Sequence, residues 1–172
     1  TALRLRHISI PQAQLREVGG LPALVELELG CCHIGRLPRS APRGLARLTH
    51  FSLARNRLSE VPDAWLLAMP RLSALDLSYN PLTSLPASLG RLSRLTTLNV
   101  AYCSSLKRCA VDLASMASLR DLFSFGTPLL KEASRQLLAR SRLAKEELSY
   151  HAEARISGEL AGGDNACKRV DL

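Results

Sequence analysis

Residues 72–89, LSALDLSYNPLTSLPASL, decide the fold because they contain two incompatible leucine periods. Leu75 and Leu77 alternate with polar residues, which is the pattern of a short strand with one buried face. After Asn80, leucines recur at steps of three and four, across a proline that no regular helix tolerates in its interior. The stretch therefore predicts a compound unit, made of a short strand, a polar turn and an irregular return segment.

The same unit recurs along the chain. Its first leucine stands at positions 24, 48, 72, 95 and 119, so the period is 24, 24, 23 and 24 residues. Leu3 and Leu5 fit one period earlier, in a unit that lacks its first leucine. A period of this length predicts a solenoid, because a single unit cannot bury its own apolar face and neighbouring coils must cover it.

The repeated pattern L-x-x-L-x-L-x-x-N/C-x-L resembles the leucine-rich repeat family. The second half of each unit, with its Leu-Pro pairs, resembles the intracellular type with LP-containing repeats of 23–24 residues. The resemblance implies an α/β solenoid with a short parallel sheet on the concave face, an irregular or short helical convex side, and a capping helix at the C-terminal end. It divides the chain into repeats at 1–129 (about six coils, the first truncated), a cap or extension helix at 130–157, and a flexible tail at 158–172.

One polar position in each coil follows the strand. An asparagine there can donate to and accept from backbone groups that the turn leaves without partners. Cysteine and threonine are weaker substitutes, and we interpret all of these residues as structural. They are Cys32, Asn56, Asn80, Cys103 and Thr127.

After Pro128 the spacing of apolar residues becomes helical up to Ile156. The first turns are predicted to cover the open end of the last coil, and the remainder is either part of the same cap or an arm that binds a partner. Phe123 and Phe125 face outward in the predicted register, with Ser124 in a leucine position. Either the helix covers both rings, or they belong to an interface.

Composition limits the class of protein. Hydrophobic residues make up 47% of the chain and aromatic residues 4%, so the core must be aliphatic. Residues 1–129 hold 15 Lys+Arg against 8 Asp+Glu, which favours acidic partners or nucleic acid, although a solvated arginine-rich surface explains the same excess. No apolar run is long enough for a membrane span and no signal peptide is evident, so we expect no membrane partner.

The sequence offers no chemistry of its own. The cysteines are odd in number and scattered, which disfavours a disulfide framework and favours a reducing, intracellular compartment. His33 beside Cys31 and Cys32 is the closest cluster, but Cys32 is predicted to point inward, so no metal site is expected. No phosphate loop, dinucleotide fingerprint or nucleophile motif is present. We expect no enzyme, no cofactor and no small-molecule substrate.

The concave face is where a partner is predicted to bind. Outward positions of the strands, in columns that begin with Arg4 and Arg6, and the turn positions beside them supply its side chains. Small residues such as Ser78 and Ala101 fill the middle column, which is therefore expected to be shallow and open to the close approach of a partner backbone or helix. The protein would then be a non-catalytic scaffold for protein–protein interaction within a larger assembly. The predicted contact residues are Glu28, His50, Ser52, Arg55, Asp76, Tyr79, Asn99, Tyr102, Phe123 and Phe125.

Two alternatives remain at this point. Arginines of the return segments would neutralise phosphate if the protein were a structural subunit of a ribonucleoprotein, such as an organellar ribosome. A subunit of a ciliary or cytoskeletal assembly is the other possibility. The arginines concerned are Arg36, Arg39, Arg43, Arg47, Arg91 and Arg94.

Overall fold

The computed structural model describes residues 2–10, 14–17 and 23–140. Six strands form one parallel sheet and stand in it in the order in which they follow one another along the chain. The strands of this sheet are β1 (Ala2–Arg6), β2 (Glu26–Gly30), β3 (His50–Ser52), β4 (Ala74–Asp76), β6 (Thr97–Asn99) and β8 (Asp121–Phe123). Each strand hydrogen-bonds to the strand one period away, as the resemblance implied.

The strand register follows the leucine pattern. Leu75 of β4 stands beside Phe51 of β3 and Leu98 of β6, and all three side chains are buried. Leu3 and Leu5 of β1 are only partly buried, because β1 has a neighbouring strand on one side. The core is therefore a continuous column of aliphatic side chains, and burying each leucine contributes about 1.5–3 kcal/mol before entropy is subtracted.

Just before each central strand, one backbone carbonyl of the preceding coil accepts three hydrogen bonds. Thr49 O accepts hydrogen bonds from Ser73 N at 2.8 Å, Ala74 N at 3.0 Å and Ser73 Oγ at 2.9 Å. Ser73 O accepts in the same way from Thr96 N, Thr97 N and Thr96 Oγ1. The hydroxyl residue that follows the first leucine of a coil thus ties that coil to the one before it.

The polar residue after each strand links the same two coils by hydrogen bonds at the carboxyl end of the strand. Asn80 Nδ2 donates to Leu53 O at 2.9 Å and to Leu77 O at 3.0 Å, while its Oδ1 accepts from Leu58 N at 3.0 Å. Asn56 makes the equivalent set of contacts one coil earlier. Buried backbone groups in the turns thereby find partners, which is the reason for an amide at this position.

The other polar positions make fewer bonds. Cys32 Sγ donates to Leu5 O at 3.3 Å, and Cys103 Sγ donates to Leu77 O at 3.4 Å. Thr127 Oγ1 accepts from Cys103 N at 3.0 Å and donates to Val100 O. Burial raises the pKa of both cysteine thiols, so Cys32 and Cys103 stay protonated and keep their donors.

The convex side contains short helices and one addition to the expected architecture. Helix α1 (Asp63–Leu67) begins at Asp63 as an acidic first turn predicts, and 3-10 turns occupy Leu45–Arg47, Ala87–Arg91 and Leu113–Ser115. A second, two-stranded parallel sheet joins β5 (Ser84–Leu85) to β7 (Arg108–Cys109). Its strands are offset by 24 residues, although the strands of the main sheet are offset by 23 residues at this point. The difference accommodates one extra residue, because Leu106 stands three residues after Cys103 whereas Leu82 stands two residues after Asn80.

Helix α2 (Lys131–Arg140) closes the last coil after a 3-10 turn at Pro128–Leu130. Leu130 and Leu137 are buried against β8 and the preceding turn, so the first turns of the helix cap the core. The predicted continuation of the helix to residue 157 and the predicted tail at 158–172 lie outside the described residues. In the part of the chain that is described, no helix has the length and apolar character to cross a bilayer.

Candidate functional site

The concave face of the sheet forms an open groove of about 620 Å³. Alternate residues of each strand point into it because successive side chains of a strand leave on opposite faces. Among the predicted contact residues, Glu28, His50, Ser52, Asp76, Asn99 and Phe123 line this groove. Arg4 and Arg6, which begin the predicted outward columns, also line it. Glu26 and Thr97 line it as well and were missing from the prediction, although the same alternation, extended by one position, identifies them.

The first coils of the groove carry paired charges. Arg4 lies 3.2 Å from Glu26 and 3.7 Å from Glu28, and Arg6 also forms an ion pair with Glu28. Both arginines are largely exposed, so these pairs contribute little to stability. They neutralise the two glutamates and leave this end of the groove without a strong net charge.

Asp76 is the carboxylate at the centre of the groove. It is half-buried and accepts a hydrogen bond from Ser78 N at 2.9 Å. Desolvation raises the pKa of Asp76, hydrogen bonds from the Ser78 amide and from the side chains of Ser78 and Asn99 oppose that rise, and the nearby Glu28 carboxylate adds to it. No described cation forms an ion pair with Asp76, so a cationic group of a partner would compensate its charge.

Asp76→Asn is expected to raise the melting temperature at neutral pH. Because the pKa of Asp76 is higher in the folded chain than in the unfolded chain, its charge costs stability above the folded pKa, and this cost disappears as the pH falls through that value. The amide keeps an acceptor for Ser78 N. Thermal unfolding of both proteins between about pH 4 and pH 8 tests this, with the exposed Glu60→Gln as the matched control. A variant that gains more stability in acid than at neutral pH contradicts the assignment.

A stack of planar groups forms the rim beside the groove, at the carboxyl ends of the strands. The Arg55 guanidinium lies 4.4 Å from the centroid of the Tyr79 ring, and Tyr79 stacks on Tyr102 at 4.5 Å. Phe125 meets Tyr102 edge-on at 5.3 Å and is 54% exposed. Within the described residues helix α2 therefore leaves Phe125 largely uncovered, although the Ser134 hydroxyl of α2 hydrogen-bonds to that of the neighbouring Ser124.

The rim arises from one backbone feature that the sequence analysis missed. The residue at the same turn position in successive coils has a left-handed φ, between 54° and 58° at Arg55, Tyr79 and Tyr102. Gly126 takes this position in the last coil with φ 68°, and a Cβ there would lie 2.9 Å from Tyr102 Cδ1. The repeated conformation lines up these side chains and brings the planar groups of Arg55, Tyr79 and Tyr102 together.

Two residues expected on the concave face are buried instead. Ser78 is 4% exposed and Ala101 is 1% exposed. Their carbonyls still accept from Arg55 N and Tyr79 N in the neighbouring coils, and the chain turns sharply at the next residue. The prediction of a shallow central column at these positions was wrong, because the strand ends at Asp76 and Asn99 and the following residues pack between coils.

The six arginines predicted to contact phosphate are all exposed and lie outside the residues that line the groove. Arg91 lies near Asp63 of α1, whose pKa is lowered first by hydrogen bonds from Ser88 and then by this charge. Arg71 is exposed as well and occupies the same position of its coil as Arg47 and Arg94. The sequence analysis omitted it, although counting back from the first leucine of each coil identifies it.

Within the described residues, no group of three or more His, Cys, Asp or Glu side chains is arranged to hold a metal ion. Cys32, Cys103 and Cys109 are free thiols. The surface of the groove is mixed polar. The paired charges lie at the end formed by β1 and β2, Asp76 lies at the centre, and the ring of Phe123 lies at the other end.

Comparisons with known proteins agree with this architecture. The Leucine rich repeat family matches residues 22–82 and again residues 46–106. Fibromodulin from Oryctolagus cuniculus is 33% identical over 108 residues, which are 59% of this chain and 68% of that protein. The chain belongs to the leucine-rich repeat family. Proteins of this family generally act in protein–protein interaction.

Other leucine-rich repeat relatives are matched over a smaller share of their length. Osteomodulin from Bos taurus is 36% identical over 77 residues, or 44% of this chain, and the chain spans 18% of that protein. InlP from Listeria monocytogenes superposes with a TM-score of 0.52 at 27% identity, covering 70% of this chain and 33% of the other. This likeness confirms the predicted solenoid with its parallel sheet.

Proposed function

We propose that this leucine-rich repeat protein is a non-catalytic scaffold that binds a protein partner through the concave groove, as a subunit of a larger assembly. The carrying observation is Asp76, a desolvated carboxylate without an ion-pair partner among the described residues, at the centre of the groove. A desolvated charge costs stability unless an opposite charge compensates it, so a cationic group of a bound partner would offset this cost.

The rim extends the surface that a partner can cover. Phe123 lines the end of the groove and Phe125 stands exposed beside it, in contact with Tyr102. Aromatic residues are enriched at the centres of interfaces because they bury much area at small entropic cost. A partner segment that places a cationic group on Asp76 and an apolar group against Phe123 and Phe125 satisfies both ends of the site.

The compartment is also a proposal. Cys32 and Cys103 use their thiol hydrogens in buried hydrogen bonds that tie coils together, which supports a reducing, intracellular location. Oxidation of either thiol would remove that donor from the core.

Crosslinking mass spectrometry on the tagged native chain identifies the partner, and one substitution then tests the site. Ser52→Arg places a long cation in the groove next to Asp76, and we expect it to weaken capture by about 100-fold, the effect of losing a central interface contact. Ser59→Arg makes the same change at an exposed residue outside the groove lining and is the matched control. Equal capture by both variants, with melting temperatures unchanged, means that the partner binds elsewhere.

The ribonucleoprotein and the ciliary or cytoskeletal roles receive less support from the geometry. Six arginines are exposed, but none of them stacks with an aromatic ring of the described residues, as single-stranded RNA binding commonly requires. They are Arg36, Arg39, Arg43, Arg47, Arg91 and Arg94. A salt titration of binding separates RNA from protein partners, because phosphate contacts weaken steeply with salt.

A further inference from the structure

Three successive coils present an arginine at the same point of the same turn. Each turn precedes a strand, and its last N–H donates to the carbonyl three residues earlier. Arg47, Arg71 and Arg94 occupy the third position of these turns, and we call them the arginine ladder. The closing bonds are Leu48 N to Leu45 O at 3.0 Å, Leu72 N to Met69 O at 3.1 Å and Leu95 N to Leu92 O at 3.1 Å.

The backbone of the ladder is fixed on both sides. The leucine after each arginine is fully buried, and the residue two positions before each arginine is buried too. The residues two positions after the arginines are hydrogen-bonded from coil to coil; they are Thr49, Ser73 and Thr96. Successive arginines of the ladder are therefore about 4.8 Å apart, which is the spacing of paired strands. The guanidiniums therefore project from rigid and equally spaced points.

The charge of the ladder is not compensated within the described chain. All three arginines are exposed, and the ion pairs of the described residues involve Arg4 and Arg6 instead. The ladder stands at the strand entries, whereas Asp76 lies at the end of β4 and the aromatic rim lies beyond the strand ends. It is consequently a second surface, independent of the concave groove.

We propose that the arginine ladder binds an acidic α-helix of a protein partner, lying across the coils with carboxylates at i, i+3 and i+7 on one face. A helix rises 1.5 Å per residue, so these carboxylates start about 0, 4.5 and 10.5 Å along its axis. The three arginines of the ladder stand at about 0, 4.8 and 9.6 Å across the coils. The planar guanidinium forks also match carboxylates in a bidentate geometry that lysine does not provide.

Nucleic acid fits the ladder less well. The phosphates of one duplex strand advance about 3.4 Å along the helix axis per nucleotide. This spacing does not match the distance of about 4.8 Å between successive arginines of the ladder. No described aromatic ring stacks with Arg47, Arg71 or Arg94 to hold unpaired bases. An acidic helix needs neither feature.

The test uses two alanine-based helical peptides of about 16 residues, long enough to be helical in water. Both carry three glutamates: at i, i+3 and i+7 in the first, and five residues apart in the second, which distributes them around the helix. We expect the first peptide to bind the wild-type chain about tenfold more tightly at low salt, as three aligned surface ion pairs allow. Equal binding of both peptides overturns the proposal, whatever any variant does.

A triple variant locates the contact. Arg47→Ser, Arg71→Ser and Arg94→Ser introduce the residue that stands at the equivalent position of the next coil, Ser118, so the turn tolerates it. The affinity for the first peptide should fall about tenfold in this variant. The control changes the exposed Arg36, Arg39 and Arg57 to serine, with the same loss of charge, and its affinity should fall by less than about twofold. Equal losses in the two triple variants mean that net charge alone attracts the peptide. If an RNA duplex binds more tightly than the first peptide and loses affinity in the ladder variant, the ligand is phosphate. Either result overturns the proposal.

Discussion

Replacing Asn80 with alanine is expected to lower the free energy of unfolding by about 4 kcal/mol. The side chain is buried and serves two adjacent coils at once. Its loss leaves Leu58 N without an acceptor, which costs about 1–3 kcal/mol. Leu53 O and Leu77 O each lose one donor, at about 0.5–1.5 kcal/mol apiece, because Asn56 and the Cys103 thiol still donate to them. Because a domain of this size is stable by only about 5–15 kcal/mol, the variant should unfold at a markedly lower urea concentration.

Asn99→Ala is the matched control for this experiment. Asn99 is half-buried in the groove; its Oδ1 accepts a hydrogen bond from Ala101 N at 3.1 Å, and its side chain hydrogen-bonds to the Asp76 carboxylate, so it spans no second buried turn. We expect its removal to cost about 1 kcal/mol or less. Similar losses in the two variants would show that the amide at the position after the strand has no special structural role.

The fold could be predicted from the sequence because each leucine position has one physical task. A buried column with a constant period fixes the strand register, and the amide at Asn56 and Asn80 follows from the backbone groups it must satisfy. The additional sheet on the convex side could not be predicted in this way. Ser84 and Arg108, which it pairs, show no apolar alternation, and only the neighbouring coil makes their backbone bonds possible.

The candidate site was predictable in outline only. Alternation along the strands located Asp76 and Asn99 in the groove, since a strand has only two faces. It failed at Ser78 and Ala101, because the strands are three residues long and the period of two does not continue beyond them. The left-handed position of Tyr79 and Tyr102 was unforeseen for a related reason: tyrosine has no preference for that conformation, and the coil geometry imposes it.

Trp65→Ala is expected to cost about 3–5 kcal/mol, the range for removing a fully buried large aromatic side chain. The indole is completely buried beneath the convex side, stacks on Phe51 at 5.9 Å and donates from Nε1 to Pro38 O at 2.8 Å. It joins the return segments of two coils to the core, so alanine leaves a cavity and a carbonyl without its donor. Urea unfolding followed by far-ultraviolet circular dichroism measures the loss, since Trp65 is also the only tryptophan.

Two substitutions separate the contributions to that loss. Trp65→Phe retains a ring against Phe51 but not the donor to Pro38, and we expect it to cost about 1–3 kcal/mol. Leu67→Ala in the same helix removes a side chain that is 51% exposed, and we expect a change of about 0.5 kcal/mol or less. A lower m-value in Trp65→Ala would mean that the coils around α1 unfold separately, because the stability of a solenoid is a sum over neighbouring coils. A loss no larger than that of Leu67→Ala would show that the indole does not hold these coils together.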